Sequence, residues 1–341
     1  MLRTFLKIAV ALSLSASVVF GYQAIRLNVS SGDKKERNDA FNGILEVDLE
    51  DAGFTPKDVH PQIEFYYNLF YGTKLLKDGK SNPKYKTDYV ENLDNLGFIT
   101  ITGEAKMREM LLKEPTLGGF APLNYLIYKK KSDNKTFVGT LTPQAMLDIT
   151  KVKDPAVRAE FTKYIDGLSA ITDAGMKGKV EYVEINKLND KTMMQFEIPF
   201  DRGSDILEAK FDFMGKFEKA FEAEDYIIAG KRDFGEYYAD NNLKFDRYDA
   251  YWVYSLCHFT FSYTVFNVWQ RPELGASAPC SMYMYVEKGK NVLHVGMPSV
   301  ENWITFGKLT DPKQIQYIKE MDAKIRSIMI SLGAKEVWRN Y

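Results

Sequence analysis

The chain has 341 residues, 45% of them apolar and 27% charged, the composition of a globular protein long enough for two ordinary domains. Its 45 basic and 46 acidic side chains nearly cancel, so no net field draws nucleic acid, an anionic membrane surface or a highly charged substrate. With only two cysteines there is no disulfide framework, and at most one local bridge.

Residues 1–21 read as a secretory signal peptide. Arg3 and Lys7 form a basic start, Ile8 to Phe20 is an uncharged, mostly apolar run of 13, and Val19-Phe20-Gly21 offers a cleavage site. The run is shorter than the ~20 residues that span a bilayer, and no later stretch is long and apolar enough. A periplasmic or extracellular protein with no membrane span after signal removal is expected. Residues 22–42 are polar and end in Asp33-Lys34-Lys35-Glu36-Arg37, which reads as a linker or loosely held arm. Val59, Ile63, Tyr66, Tyr67 and Phe70 approximate helical steps over Pro56 to Phe70. Gly97 to Thr102 is a predicted strand, and Glu104 to Lys113 a helix stopped by Pro115. Leu123 to Tyr128 and Thr136 to Leu141 form a hairpin with a basic tip. Asp154-Pro155 supplies an N-cap and first-turn proline for a helix that buries Val157, Phe161, Ile165, Leu168 and Ile171. On this reading the first α+β repeat covers 43–172.

Residues 173–204 read as a linker region holding one strand, Val180 to Ile185, and the second repeat as 205–341. Phe213, Phe217, Ala220 and Phe221 sit at helical spacing, Tyr226 to Ala229 and Tyr248 to Leu256 are strand candidates, and His258 to Trp269 is a predicted helix stopped by Pro272. Cys280 to Val286 and Val292 to Val295 flank a glycine turn, and Asp311-Pro312 opens a closing helix.

The two halves echo each other. Pro115-Thr116-Leu117-Gly118 and Ala121-Pro122 recur 157 residues later as Pro272-Glu273-Leu274-Gly275 and Ala278-Pro279, Tyr128 recurs as Tyr285, and Asp154-Pro155 as Asp311-Pro312. Thr142-Pro143 matches Met297-Pro298 if the first hairpin tip is two residues longer. The expected fold is therefore α+β: two tandem copies of an antiparallel-sheet unit with helices packed on one face.

Leu256-Cys257-His258, the aromatic helix to Trp269, Leu274-Gly275, Ala278-Pro279-Cys280 and Met282-Tyr283-Met284-Tyr285-Val286 with its glycine turn resemble the family called domain of unknown function 302. The resemblance covers 205–300 and, through Pro115 to Tyr128, the first copy. It implies a compact unit with helices on one face of an antiparallel sheet, and no reaction. Small members of that family are expected to pair, so the tandem copy implies a monomer built as an intrachain pseudo-dimer.

Cys257 and Cys280 align with Thr100 and Leu123, so the first copy lacks both cysteines. Their joint presence marks them as a pair: a disulfide, two buried small residues, a redox-active dithiol or part of a soft-metal site. Strand alternation places Cys280, Met282, Met284, Leu293, Val295 and Met297 on one face and His294 on the other with Tyr283 and Tyr285. A candidate metal set is Cys257, His258, Cys280, Met282 and Met297, for which Cu(I) is the fitting ion, although nothing in the sequence requires a cofactor. No phosphate loop, nucleophile elbow or zinc-ligand spacing is present. The expectation is a secreted or periplasmic, non-catalytic protein that binds a small ligand or a periplasmic protein, at the cleft between its units or near the cysteines. The alternative is a periplasmic redox or copper-handling protein using Cys257 and Cys280.

Overall fold

The computed structural model describes residues 21–60, 79–82 and 92–337. The signal segment thus lies outside the described residues except for Gly21, as do residues 61–70 of the helix expected from Pro56 to Phe70. The start of that stretch, Thr55–His60, is a strand. None of the described helices is long and apolar enough to cross a membrane.

The first unit runs β1 (Tyr22–Ser31), α1 (Lys34–Gly43, continuing through a π turn at Ile44–Asp48), β2 (Thr55–His60), β3 (Leu93–Thr102), α2 (Glu104–Lys113) and a 3-10 segment Pro115–Phe120. It closes with β4 (Leu123–Lys130), β5 (Lys135–Leu141), α3 (Pro143–Ile149), α4 (Pro155–Met176) and β6 (Lys179–Ile185). The second unit repeats the order: β7 (Met193–Pro199), α5 (Ile206–Glu222), β8 (Tyr226–Asp233), α6 (Phe234–Asp240), β9 (Tyr248–His258), α7 (Phe259–Tyr263) and a 3-10 segment Pro272–Ser277. Then follow β10 (Cys280–Glu287), β11 (Val292–Pro298), α8 (Asn302–Phe306), α9 (Pro312–Ser331) and the short β12 (Lys335–Glu336). Among the described residues each unit has a six-stranded antiparallel sheet, ordered β2-β3-β4-β5-β1-β6 and β8-β9-β10-β11-β7-β12. The fold is α+β with two similar units.

Three boundaries move. Residues 22–42 are not a linker: β1 sits inside the first sheet between β5 and β6, and Asp33 caps α1 by accepting from Glu36 N. Polar residues hid this strand. Arg26 and the Asn28 amide nitrogen, inside β1, both donate to Asp173 of α4, so these polar side chains hold sheet positions with a partner on the covering helix. Residues 173–204 are not a linker region either, since β6 completes the first sheet and β7 opens the second. The second unit therefore begins near 193 rather than 205. Finally, the two hairpins have equal length. Leu126 pairs with Gly139 as Tyr283 pairs with Gly296, so Thr142 corresponds to Ser299 and no insertion is needed.

Packing follows from strand alternation. In the first sheet Tyr125 faces the helices, stacking near Phe41 of α1 and donating to Thr172 Oγ1 of α4 at 2.6 Å. In the second, Tyr254 stacks on Phe217 of α5 at 4.8 Å between ring centres. Proline-led helices start as expected, with Asp154 and Asp311 accepting from the first free N–H groups of α4 and α9. The opposite faces of the two sheets turn toward one another.

Candidate functional site

The repeated Pro-x-Leu-Gly segment is what joins the units. Pro115–Phe120 lies against β10 and β11, and Pro272–Ser277 lies reciprocally against β4 and β5. Leu117 and Leu274 are fully buried. A Cβ on Gly118 would overlap the Tyr251 hydroxyl and stand 2.6 Å from Tyr283 Cβ, and one on Gly275 would stand 2.5 Å from Phe98 Cε1 and 2.9 Å from Leu126 Cδ1. Both glycines therefore mark close approach between units, the symmetric arrangement of an isologous dimer made within one chain. Hydrogen bonds seal the joint. Tyr251 donates to Pro115 O at 2.7 Å, Tyr248 to Leu111 O at 2.6 Å, and Arg247 to the carbonyls of Leu112 and Lys113 at the end of α2. The buried Glu104 of the first unit is paired with Arg232 of the second.

Among the described residues a small cavity of about 20 Å³ lies at this joint. Four pairs of its lining residues are related by the 157-residue offset, among them Asn124 with Ser281 and Phe120 with Ser277, so it lies on the pseudo-twofold axis. Asn124 Oδ1, Ser277 Oγ and Asn302 Oδ1 are buried there without a protein partner. The space suits a water, which needs about 10–15 Å³, and is far below the ~300 Å³ of an organic-ligand pocket.

Cys257 and Cys280 are both free. Cys280 is paired across strands with Leu256, the residue before Cys257, and the two thiols lie near enough for Cys257 to be one of the groups that raise Cys280. The Cys280 thiol points at Ser277 O, 3.9 Å away. Burial pushes both thiols up to about 12, the opposite of the lowered value that makes a reactive thiolate. The register confirms the expected alternation in the hairpin, with Met284 opposite Val295 and Tyr285 opposite His294. Met282 and Met297 share a face with Cys280, and both are fully buried in the core. His258 is committed elsewhere: its Nδ1 accepts from Phe261 N at 3.3 Å, capping α7, and its ring meets Tyr226 edge-on. Burial and nearby Lys324 lower its pKa. Of the candidate metal set, His258 serves as a helix cap and Met282 and Met297 lie in the core, while Cys257 and Cys280 are neighbouring free thiols. Among the described residues no group of three or more His, Cys, Asp or Glu side chains is placed to hold a metal ion.

Two large open concavities lie around α5. A groove of about 710 Å³ is bounded by α5, α6 and β9, and another of about 670 Å³ lies on the helix's other side beside Phe200 to Ser204. At the floor of the first, Lys210 is 3% exposed and pairs with Asp233 at 2.5 Å. Asp233 also caps α6 through Glu236 N, which fixes the pair between two helices. On the rim stand Leu207 and Phe211, 51% and 55% exposed. Sequence reasoning passed over this face because Phe213, Phe217 and Phe221 supplied a complete buried stripe. The signal was available: Leu207 and Phe211 are one turn apart and fall outside that stripe.

No family model matches the chain, and no curated protein does. Among solved structures, that of an uncharacterized conserved protein DUF302 from Bacillus stearothermophilus aligns with 41% of this chain and 96% of its own, at 14% identity and a TM-score of 0.33. That printed name is the name of the family that Leu256 to Val286 of this chain resemble in sequence.

Proposed function

We propose that this chain is a secreted or periplasmic, non-catalytic interaction protein, in which two fused units form a rigid scaffold and the α5 face of the second is the working surface. The observation that carries this reading is the contrast in openness. Among the described residues the joint between units holds a water-sized cavity, whereas grooves of about 710 and 670 Å³ lie on the two sides of α5, with the exposed Leu207 and Phe211 on the rim of the first. Export is supported by the signal-like residues 1–21. A redox role for Cys257 and Cys280 finds no support in thiols pushed up to about 12.

Native mass spectrometry and metal analysis of the protein isolated from its producing cells test the proposal. The expected species is the chain shortened by its leader, recovered outside the cytoplasm, with no stoichiometric redox metal and no turnover of added thiol or disulfide substrates. Stoichiometric copper that disappears in Cys280→Ser would replace this reading with the metal-handling one.

A further inference from the structure

We propose that the α5 face docks a cationic amphipathic segment of a partner protein, with Leu207 and Phe211 as the apolar contact and the surrounding carboxylates as the charge match. The inference rests on the interaction reading above and names the chemistry of its partner.

The apolar part is unusual for its position. Lys210, Phe213, Met214, Phe217 and Phe221 already bury the inner stripe of α5, so the helix does not need Leu207 and Phe211 for packing. They are exposed along the first groove, while Asp205, Glu208 and Asp212 at the start and on the other side of the same helix line the second, so that α5 itself forms a ridge. A partner helix is about 10 Å across with its side chains, and grooves of this size on both sides of a ridge give its own apolar residues somewhere to insert.

Charge decides which partner fits. Asp201, Asp205, Glu208 and Asp212 are exposed along one groove, and Glu236, Asp240 and Asp246 along the other. The exposed cations there are Lys216, Lys244 and Lys288. Lys210 and Arg202 do not offset the surplus, because they are engaged with Asp233 and Asp249. Seven carboxylates against three lysines is a strong local excess in a chain whose formal net charge is −1. Lysine or arginine beside apolar anchors is the complement of this surface, and attraction across it steers association and weakens with salt.

The test is fluorescence anisotropy with three synthetic helical peptides that share one leucine spacing and carry Lys, Gln or Glu at the polar positions. The Lys/Leu peptide should bind at least about tenfold more tightly than the other two, with affinity falling as salt rises. Leu207→Ser with Phe211→Ser, and separately Glu208→Lys with Asp212→Lys, should each lower its affinity about tenfold or more, while circular dichroism shows an unchanged fold. Equal binding of the Gln/Leu or Glu/Leu peptide overturns the cationic class and leaves the interaction reading standing. If no peptide binds, or the Lys/Leu peptide binds both double variants as it binds the parent, the docking surface itself is overturned. Light scattering provides the remaining outcome: a dimer that Phe211→Ser converts to monomer assigns this face to a second copy of the chain and overturns the proposal.

Discussion

The joint between the units and the α5 face are built on opposite principles. The joint is made twice, by segments 157 residues apart that insert the same Leu-Gly step into the partner sheet. The α5 face is made once. Its structural counterpart α1 begins Lys34-Lys35-Glu36-Arg37, whereas α5 begins with Ile206, Leu207 and Glu208. A feature retained in both copies is explained by the scaffold both must build. A feature present in one copy is where the two units differ, and the α5 face is one that opens to solvent.

The largest expected effect breaks the symmetry of the joint. Gly118→Ala forces a methyl against Tyr283 Cβ, which is fixed to its strand, while Gly275→Ala meets the ends of the Phe98 and Leu126 side chains, which can shift. Overpacking costs of about 1–3 kcal/mol are expected, with Gly118→Ala at the upper end and Gly275→Ala at the lower. Urea unfolding of both variants measures this, and equal costs would show that side-chain freedom does not set the difference. Tyr251→Phe comes next. It leaves the buried Pro115 carbonyl without its 2.7 Å donor and should cost about 1–2 kcal/mol.

The cysteines provide a smaller and more diagnostic comparison. Thr100 and Cys257 occupy the same place in their sheets, opposite Lys57 and Ile227, and Thr100 donates to Lys57 O at 3.0 Å. Giving the second unit the first unit's residues, Cys257→Thr with Cys280→Leu, should therefore change stability by no more than about 1 kcal/mol, because the equivalent positions already hold them. A larger loss in the urea midpoint would mean that the thiols hold something beyond packing. The pH dependence has a definite sign. Each folded thiol is raised to about 12 and titrates lower when unfolded, so the unfolded state releases protons first. The thiol contribution is complete below the unfolded pKa near 9 and is lost as pH rises toward 12. Buried tyrosines such as Tyr251 are shifted in the same direction, so the alkaline loss of the parent should be compared with that of the double variant to isolate the thiol share. Thiol labelling at pH 8 should accordingly be slow in the folded protein and fast in denaturant.

Much of this architecture was legible in sequence because the residues that carry it are geometrically demanding. Pro-x-Leu-Gly, Asp-Pro helix starts and the alternating Met-Tyr strand each permit few conformations, and finding them at one offset fixed the duplication. The first strand was illegible for the opposite reason. Gln23, Arg26, Asn28 and Ser30 look solvated until Asp173, 145 residues beyond Asn28, is seen to pair with two of them. Cysteine, histidine and methionine are read as ligands by type, whereas here the methionines are buried in the core and the histidine caps a helix. The proposed surface of Leu207, Phe211 and scattered carboxylates has no motif, and it becomes visible only when the helix is known to have a second apolar side.

That second side gives the smallest expected change in stability. Leu207→Ser with Phe211→Ser removes two large side chains that are more than half exposed, from a helix whose inner stripe remains intact. Exposed substitutions away from caps and packed contacts usually alter stability by about 0.5 kcal/mol or less, so the urea midpoint should stay close to that of the parent. The comparison with Gly118→Ala is then direct: a single methyl at the repeated joint should cost more than the loss of both apolar side chains at the open face. A fall of more than about 1 kcal/mol in the double serine variant would mean that Leu207 and Phe211 are packing residues, and the face would lose its claim to be open for binding.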